Sequence, residues 1–212
     1  MTQRVIQPQR LPVIGVLISG RGSNLQALID AIQLGSLPAR IGIVISNRQE
    51  APGLVRAAAA GIETRVLSHR GFATREAYDE ALVEELRAHE VAMVCLAGFM
   101  RILTPTFCDA FPDRILNVHP SLLPDFPGVN AQAQALAAGA RVSGATVHLV
   151  TPEMDAGPVI MQAAVPVRRD DTEDTLAARI LREEHRLLPQ AVALMAKRDF
   201  LIERNAVVLR HG

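Results

Sequence analysis

At 212 residues, 49% of them apolar, the chain is long enough to bury a sizeable core, and nothing in it forces a division into two domains. Aromatics make up only 3%, so that core must be built from Ala, Val, Leu and Ile, the composition of parallel strands and the helices that cover them. The 22 basic and 22 acidic residues cancel, which excludes a broad electrostatic surface for nucleic acid or an anionic membrane and leaves any phosphate to be held locally.

The opening MTQRVIQPQRLP lacks the apolar stretch of a signal peptide, so residues 1–11 are expected to form a disordered lead-in and residues 12–212 a single domain. Val13 to Ile18 is a compact apolar strand, followed by the loop Ser19-Gly20-Arg21-Gly22-Ser23-Asn24 and a helix carrying Leu25, Leu28, Ile29 and Ile32 at helical spacing. Strand, glycine loop and helix have the form of a phosphate-binding turn, in which unpaired amides at the helix start face an anion. A tight turn capped by Ser23 or Asn24 accounts for the same residues equally well.

A second strand over Ile41 to Ile45 ends in Ser46-Asn47, a helix over Pro52 to Ala60 is closed by Gly61, and Glu63 to Leu67 reads as a shorter third strand. Thr74 to His89 sets Tyr78, Leu82 and Leu86 on one helical stripe, and Ala92 to Leu96 is apolar enough for a strand buried on both faces. The connection from Ala97 to Pro105 is too apolar for an ordinary surface loop. It reads either as a wall for an apolar ligand or as a buried contribution to the core. Strands separated by helices imply right-handed crossovers, and hence a three-layer α/β architecture: an open, mostly parallel twisted sheet with helices on both faces.

The stretch on which the chemistry centres is Leu116-Asn117-Val118-His119-Pro120-Ser121-Leu122-Leu123-Pro124. An apolar strand beginning near Arg114 runs into Asn117 and His119 and is stopped by Pro120, which has no amide hydrogen. Side chains alternate along a strand, so Asn117 and His119 share a face while Leu116 and Val118 point into packing. Two polar heads at a strand's carboxyl end lie where open α/β sheets place their ligands.

After the turn Asp125-Phe126-Pro127-Gly128 come a short helix over Ala131 to Ala138 and an alternating, half-buried strand over Ser143 to Val150, in which His148 reads as a structural histidine. The polar turn Thr151 to Pro158 leads to a strand over Val159 to Val165. Thr172 to Lys197 is the longest helix, with Leu176, Ile180, Leu187 and Leu188 inward and Glu183, Glu184 and His185 in its middle, and Asn205 to Leu209 is expected to add a last strand.

Asn117 supplies an amide donor, and His119 can donate or accept a proton near neutral pH. Asp155 is the nearest candidate to hold His119 protonated, because an opposing carboxylate raises an imidazole's pKa. The trio forms an oxyanion device suited to acyl or formyl transfer. Ser121 lacks the glycine elbow that exposes a nucleophilic serine, and no His, Cys or Asp cluster shows metal-ligand spacing. Cys95 and Cys108 are too few for a disulfide framework and fit a reducing cytoplasm. The longest apolar run, Val91 to Met100, is about half of what a bilayer span needs.

Four segments together resemble the folate-dependent glycinamide ribonucleotide (phosphoribosylglycinamide) formyltransferase family of purine synthesis. They are Ile18 to Gln26, Ala97 to Leu103, Leu116 to Pro124, and Val147 to Val150 leading on to Asp155-Ala156-Gly157-Pro158-Val159-Ile160. The HPSLLP core alone is shared with other formyltetrahydrofolate enzymes. The resemblance implies a Rossmann-like formyltransferase fold. It also implies direct transfer from 10-formyltetrahydrofolate, used as a cosubstrate without a metal, to the amine of glycinamide ribonucleotide.

By that resemblance Gly22, Ser23 and Asn24 hold the ribonucleotide phosphate, and Glu184 meets the glycinamide amine. Arg75, Met100, Arg101, Ile102 and Leu103 line the folate site with Asn117 and the loop Thr151, Pro152, Glu153, Met154 and Asp155. Asn117, His119 and Asp155 are catalytic. Relatives often carry one or two histidines where this chain has Asn130 and Gln132. A methionyl-tRNA formyltransferase would need a further tRNA-binding domain and a formyltetrahydrofolate hydrolase an amino-terminal regulatory one. The expected partners are therefore the two small molecules, with no nucleic acid or membrane, in a monomer or homodimer.

Overall fold

The computed structural model describes residues 11–197 and 200–209, so the lead-in expected over residues 1–11 lies, Leu11 apart, outside the described residues. All six residues of β1 (Val13–Ile18) are buried, because this strand is central to the sheet and covered on both faces. The elements that follow are α1 (Ser23–Gln33), β2 (Arg40–Ser46), α2 (Pro52–Ala59), β3 (Thr64–Val66), α3 (Arg75–Ala88), β4 (Met93–Leu96), α4 (Pro105–Ala110) and β5 (Ile115–His119). The carboxyl-terminal half adds α5 (Ala131–Ala137), β6 (Val142–Leu149), β7 (Val159–Pro166), α6 (Glu173–Ala196), β8 (Phe200–Glu203) and β9 (Ala206–Leu209).

The strands form one sheet in the order β3-β2-β1-β4-β5-β6-β7-β9-β8. β1 to β5 are mutually parallel, whereas β6 runs antiparallel to β5 and β7 antiparallel to β6. The alternation of β1 sorts the helices into two layers. Ile14, Val16 and Ile18 pack with residues of α1, α2 and α6, while Val13 and Leu17 pack with Tyr78, Leu82 and Leu86 of α3 and Phe107 of α4. The result is an open, mostly parallel twisted sheet between helices, as the sequence implies. From β1 the chain winds outward through β2 and β3, then returns to place β4 on the other side of β1. This reversal opens a crevice at the carboxyl ends of β1 and β4.

Two elements depart from expectation. β6 is buried at every residue but Val142 rather than half-buried. Ala145, Val147 and Leu149 join the core beneath α6, and the segment after His119 folds across the opposite face. There the Thr146 hydroxyl donates to the Ser121 carbonyl at 2.7 Å and accepts from the Leu123 amide at 3.0 Å. The final strand β9 is joined by β8, its antiparallel partner from Phe200↔Leu209 to Glu203↔Ala206.

Candidate functional site

The glycine loop after β1 is held from below by α2. Gly22 has φ +70°, and a Cβ there would lie 2.6 Å from Gly53 Cα, so both the backbone conformation and the close approach demand glycine. The Gly53 amide donates to the Gly20 carbonyl at 3.0 Å, and Arg56 Nε donates to the Arg21 carbonyl at 2.9 Å. Gly22 itself is the N-cap of α1, and no side chain caps the helix. Ser23 and Asn24 therefore do not act as caps, and the start of α1 lines a cleft of about 570 Å³ together with Arg48, Gln132 and Glu184.

Asn24 turns inward instead. Its Nδ2 donates to Glu184 Oε2 at 2.7 Å, joining α1 to α6 through two buried polar side chains. Burial pushes the Glu184 carboxyl above the ordinary carboxylate range, and the Asn24 bond holds it back only in part. Gly22, Ser23, Asn24 and Glu184, expected to bind one substrate, thus line one cleft.

The loop after β4 forms the wall of a second cleft of about 510 Å³, within the range of small-molecule sites. The segment both enters the core and lines this cleft, Phe99 and Leu103 doing both. Ala97, Phe99 and Leu103 are buried in the core, while Met100 and Ile102 are exposed along the cleft at 63% and 54%. Arg101, Asn117, Thr151, Glu153, Met154 and Asp155 line the same space. Arg75 and Pro152 fall outside its lining; Arg75 reaches the wall from α3, its Nη2 donating to the Ile102 carbonyl at 2.8 Å. The two clefts share Gly98 and Met100. Ser19 locks them in register, its hydroxyl accepting from the Met100 amide at 2.8 Å and its amide donating to the Gly98 carbonyl at 3.1 Å.

At the end of β5, Asn117 and His119 emerge on one face, opposite His148 and Thr146 of β6, while Leu116 and Val118 enter the core. His119 Nδ1 lies 3.5 Å from Asp155 Oδ2, and its Nε2 donates to the Phe126 carbonyl at 2.9 Å. Asp155 is held in a left-handed conformation, φ +53°, and its Oδ2 also accepts from the Gly128 amide at 2.8 Å. The loop between β5 and α5 is thereby pinned to the loop between β6 and β7 through one carboxylate.

His148, read from sequence as a structural histidine, belongs to this cluster. Its Nε2 lies 3.2 Å from Asn117 Nδ2 and 3.7 Å from Asp155 Oδ1. Its Nδ1 faces the Leu149 carbonyl at 2.8 Å, which requires the proton on Nδ1 and leaves Nε2 to accept from Asn117. Burial pushes the His148 imidazole below its ordinary value, in keeping with a neutral ring. The signal in the sequence was its place opposite Asn117, which becomes visible only once β6 is known to run antiparallel to β5 in this register.

Ser121 is fully buried and its hydroxyl donates to the Asp125 carbonyl, so it has no access to a ligand. Asn130 and Gln132 divide between the sites: Asn130 lines the second cleft and Gln132 the first. Asn130 also starts α5 at φ +56°, a left-handed conformation that asparagine adopts readily. Among the described residues no group of three His, Cys, Asp or Glu side chains could hold a metal, and no helix is long and apolar enough to cross a membrane.

The formyl transferase family model matches residues 13–192. The chain is 46% identical over 196 residues to phosphoribosylglycinamide formyltransferase of Escherichia coli, covering 92% of each. It is 48% identical over 203 residues to the trifunctional purine biosynthetic protein adenosine-3 of Drosophila melanogaster; the match takes in 95% of this chain but only 15% of that much longer protein. Among solved structures, glycinamide ribonucleotide transformylase 1 of Symbiobacterium toebii superimposes with a TM-score of 0.95 at 47% identity, covering 99% of both chains.

Proposed function

Because the chain belongs to the formyl transferase family, which it matches over residues 13–192, we propose that it moves the formyl group of 10-formyltetrahydrofolate onto the amine of glycinamide ribonucleotide, a step of purine biosynthesis. The observation that carries this reading is the meeting of two clefts at Gly98 and Met100, one built around uncapped helix amides and the other containing the Asn117, His119 and Asp155 cluster. One cleft suits a phosphorylated amine and the other a flat, apolar carrier.

The ribonucleotide phosphate rests on the amides of Gly22, Ser23 and Asn24, with Arg48 at the cleft edge. A net-neutral protein needs no more than this local device. Glu184 meets the glycinamide amine, and the exposed faces of Met100 and Ile102 pack against the folate.

The neutral amine attacks the formyl carbon, forming a nitrogen–carbon bond and driving the carbonyl electrons onto oxygen. Asn117 donates one amide proton to His148 and keeps the other for that oxygen. His119, steadied by Asp155, exchanges its Phe126 carbonyl partner for the developing oxyanion. The tetrahedral species then collapses with cleavage of the bond to folate N10, which takes up the proton lost by the amine through His119 or water. Holding two substrates edge to edge supplies much of the acceleration.

The reading is tested by following release of tetrahydrofolate spectroscopically and the formylated product by mass spectrometry. Release that requires glycinamide ribonucleotide supports it. Release without any amine acceptor would instead identify a hydrolase.

A further inference from the structure

The wall from Gly98 to Thr104 is neither helix nor strand, and part of it is solvent-exposed, yet the proposed cosubstrate site depends on its shape. Bonds from outside the segment hold it at both ends and in the middle. At its start the Met100 amide donates to Ser19 Oγ at 2.8 Å; in its middle the Ile102 carbonyl accepts from Arg75 Nη2 at 2.8 Å; at its end the Thr104 amide donates to Asp79 Oδ2 at 2.6 Å. Arg75 and Asp79 are four residues apart on α3 and so present both groups from one helix face.

The two contacts from α3 are unequal. The Arg75 bond is solvent-exposed and competes with water. Asp79 and Thr104 are each only 3% exposed, so theirs is a charge-assisted bond shielded from water, and its loss strands a buried amide. The helix is itself fixed, because Tyr78, Leu82 and Leu86 pack into the core under the sheet.

We infer that Asp79, which touches neither cleft, is a positioning residue for the cosubstrate: from the rigid face of α3 it clips the end of the wall at Thr104 and so sets where Met100 and Ile102 stand in the folate cleft. This rests on the proposed function for the identity of the ligand, but the clip itself is a property of the protein alone. It acts on the folate cleft more than on the other, since Ile102 lines the folate cleft alone while the glycine loop has anchors of its own on Gly53 and Arg56 of α2.

The test compares the full chain with Asp79→Ala and Asp79→Asn. The alanine variant is expected to raise KM for 10-formyltetrahydrofolate by about tenfold while KM for glycinamide ribonucleotide stays within about twofold. The asparagine variant, which keeps an oxygen for the Thr104 amide, is expected to recover most of that loss. In the parent protein, hydrogen exchange is expected to show the Thr104 amide slowed by about 10²-fold relative to an unstructured peptide. A folded alanine variant with unchanged KM values, an equal rise in both, or free exchange at Thr104 in the parent would each overturn the inference. The exchange measurement needs neither a variant that folds nor a substrate. A parent enzyme without turnover would therefore count against the proposed function and leave the clip still decided by exchange.

Discussion

The side-chain amide of Asn117 and the imidazole of His148 face each other across adjacent antiparallel strands at 3.2 Å, with His148 held in the tautomer whose Nε2 can only accept. The bond fixes which end of the Asn117 amide reaches the cleft, and an amide turned the other way would present an oxygen to the oxyanion. His148→Leu is therefore expected to lower kcat by about 10²-fold, the scale of losing one oxyanion donor, with little change in either KM. Steady-state kinetics of the variant check this; an unchanged kcat would mean that Asn117 is oriented by other contacts.

Asp155→Asn keeps an oxygen for the Gly128 amide but removes the charge facing His119 at 3.5 Å. The fold is expected to survive, with near-parental circular dichroism, while kcat falls by about 10²–10⁴-fold, the range of a lost acid–base partner. Near-parental turnover would remove Asp155 from the mechanism.

Glu184 gives a pH dependence of stability with a definite sign. Its carboxyl is raised by burial, so the folded protein holds a proton that the unfolded chain has released, and stability falls as pH rises from the ordinary carboxylate range through the raised folded value. Glu184→Gln keeps an acceptor for Asn24 Nδ2 and removes that dependence. The unliganded variant is expected to melt higher than the parent at neutral pH, by about 2–4 °C for each kcal/mol relieved. The difference should vanish under acid conditions, where the parent is protonated. Its activity is expected to fall, because the carboxyl group proposed to meet the amine has been replaced by an amide. Thermal melts across pH check the first claim and KM for glycinamide ribonucleotide the second.

Gly22→Ala would place a methyl group 2.6 Å from Gly53 Cα at a backbone φ of +70°. Either the loop or α2 must move, at a cost of about 1–3 kcal/mol from the strained backbone alone. KM for glycinamide ribonucleotide is expected to rise by about tenfold or more, and binding of a folate analogue, measured calorimetrically, to change little.

What could be read in the sequence is what local pattern encodes. The alternation of Leu116, Asn117, Val118 and His119 placed two polar heads on one face, and the apolar strands with helices between them led to the sheet and its layers. Met100 and Ile102 emerged because an apolar connection has to line something. What was hidden depends on how distant segments meet. His148 joins the site only because β6 runs antiparallel to β5 in one register, Arg48 enters the first cleft from the end of β2, and Asp79 lies 25 positions from the amide it holds. Arg75 reaches the second cleft through a carbonyl of the wall, a contact that no spacing of side chains announces.

Asn117 and His119 are expected to stabilise the oxyanion formed when glycinamide ribonucleotide takes the formyl group. The most direct test is the single-turnover rate of formyl transfer from 10-formyltetrahydrofolate to glycinamide ribonucleotide in the parent and in His119→Ala, both saturated with substrates. A parent that transfers the group and a folded variant slower by about 10²–10³-fold is the expected result. A parent that forms no formylated product, or a variant that forms it at nearly the parental rate, would contradict the account.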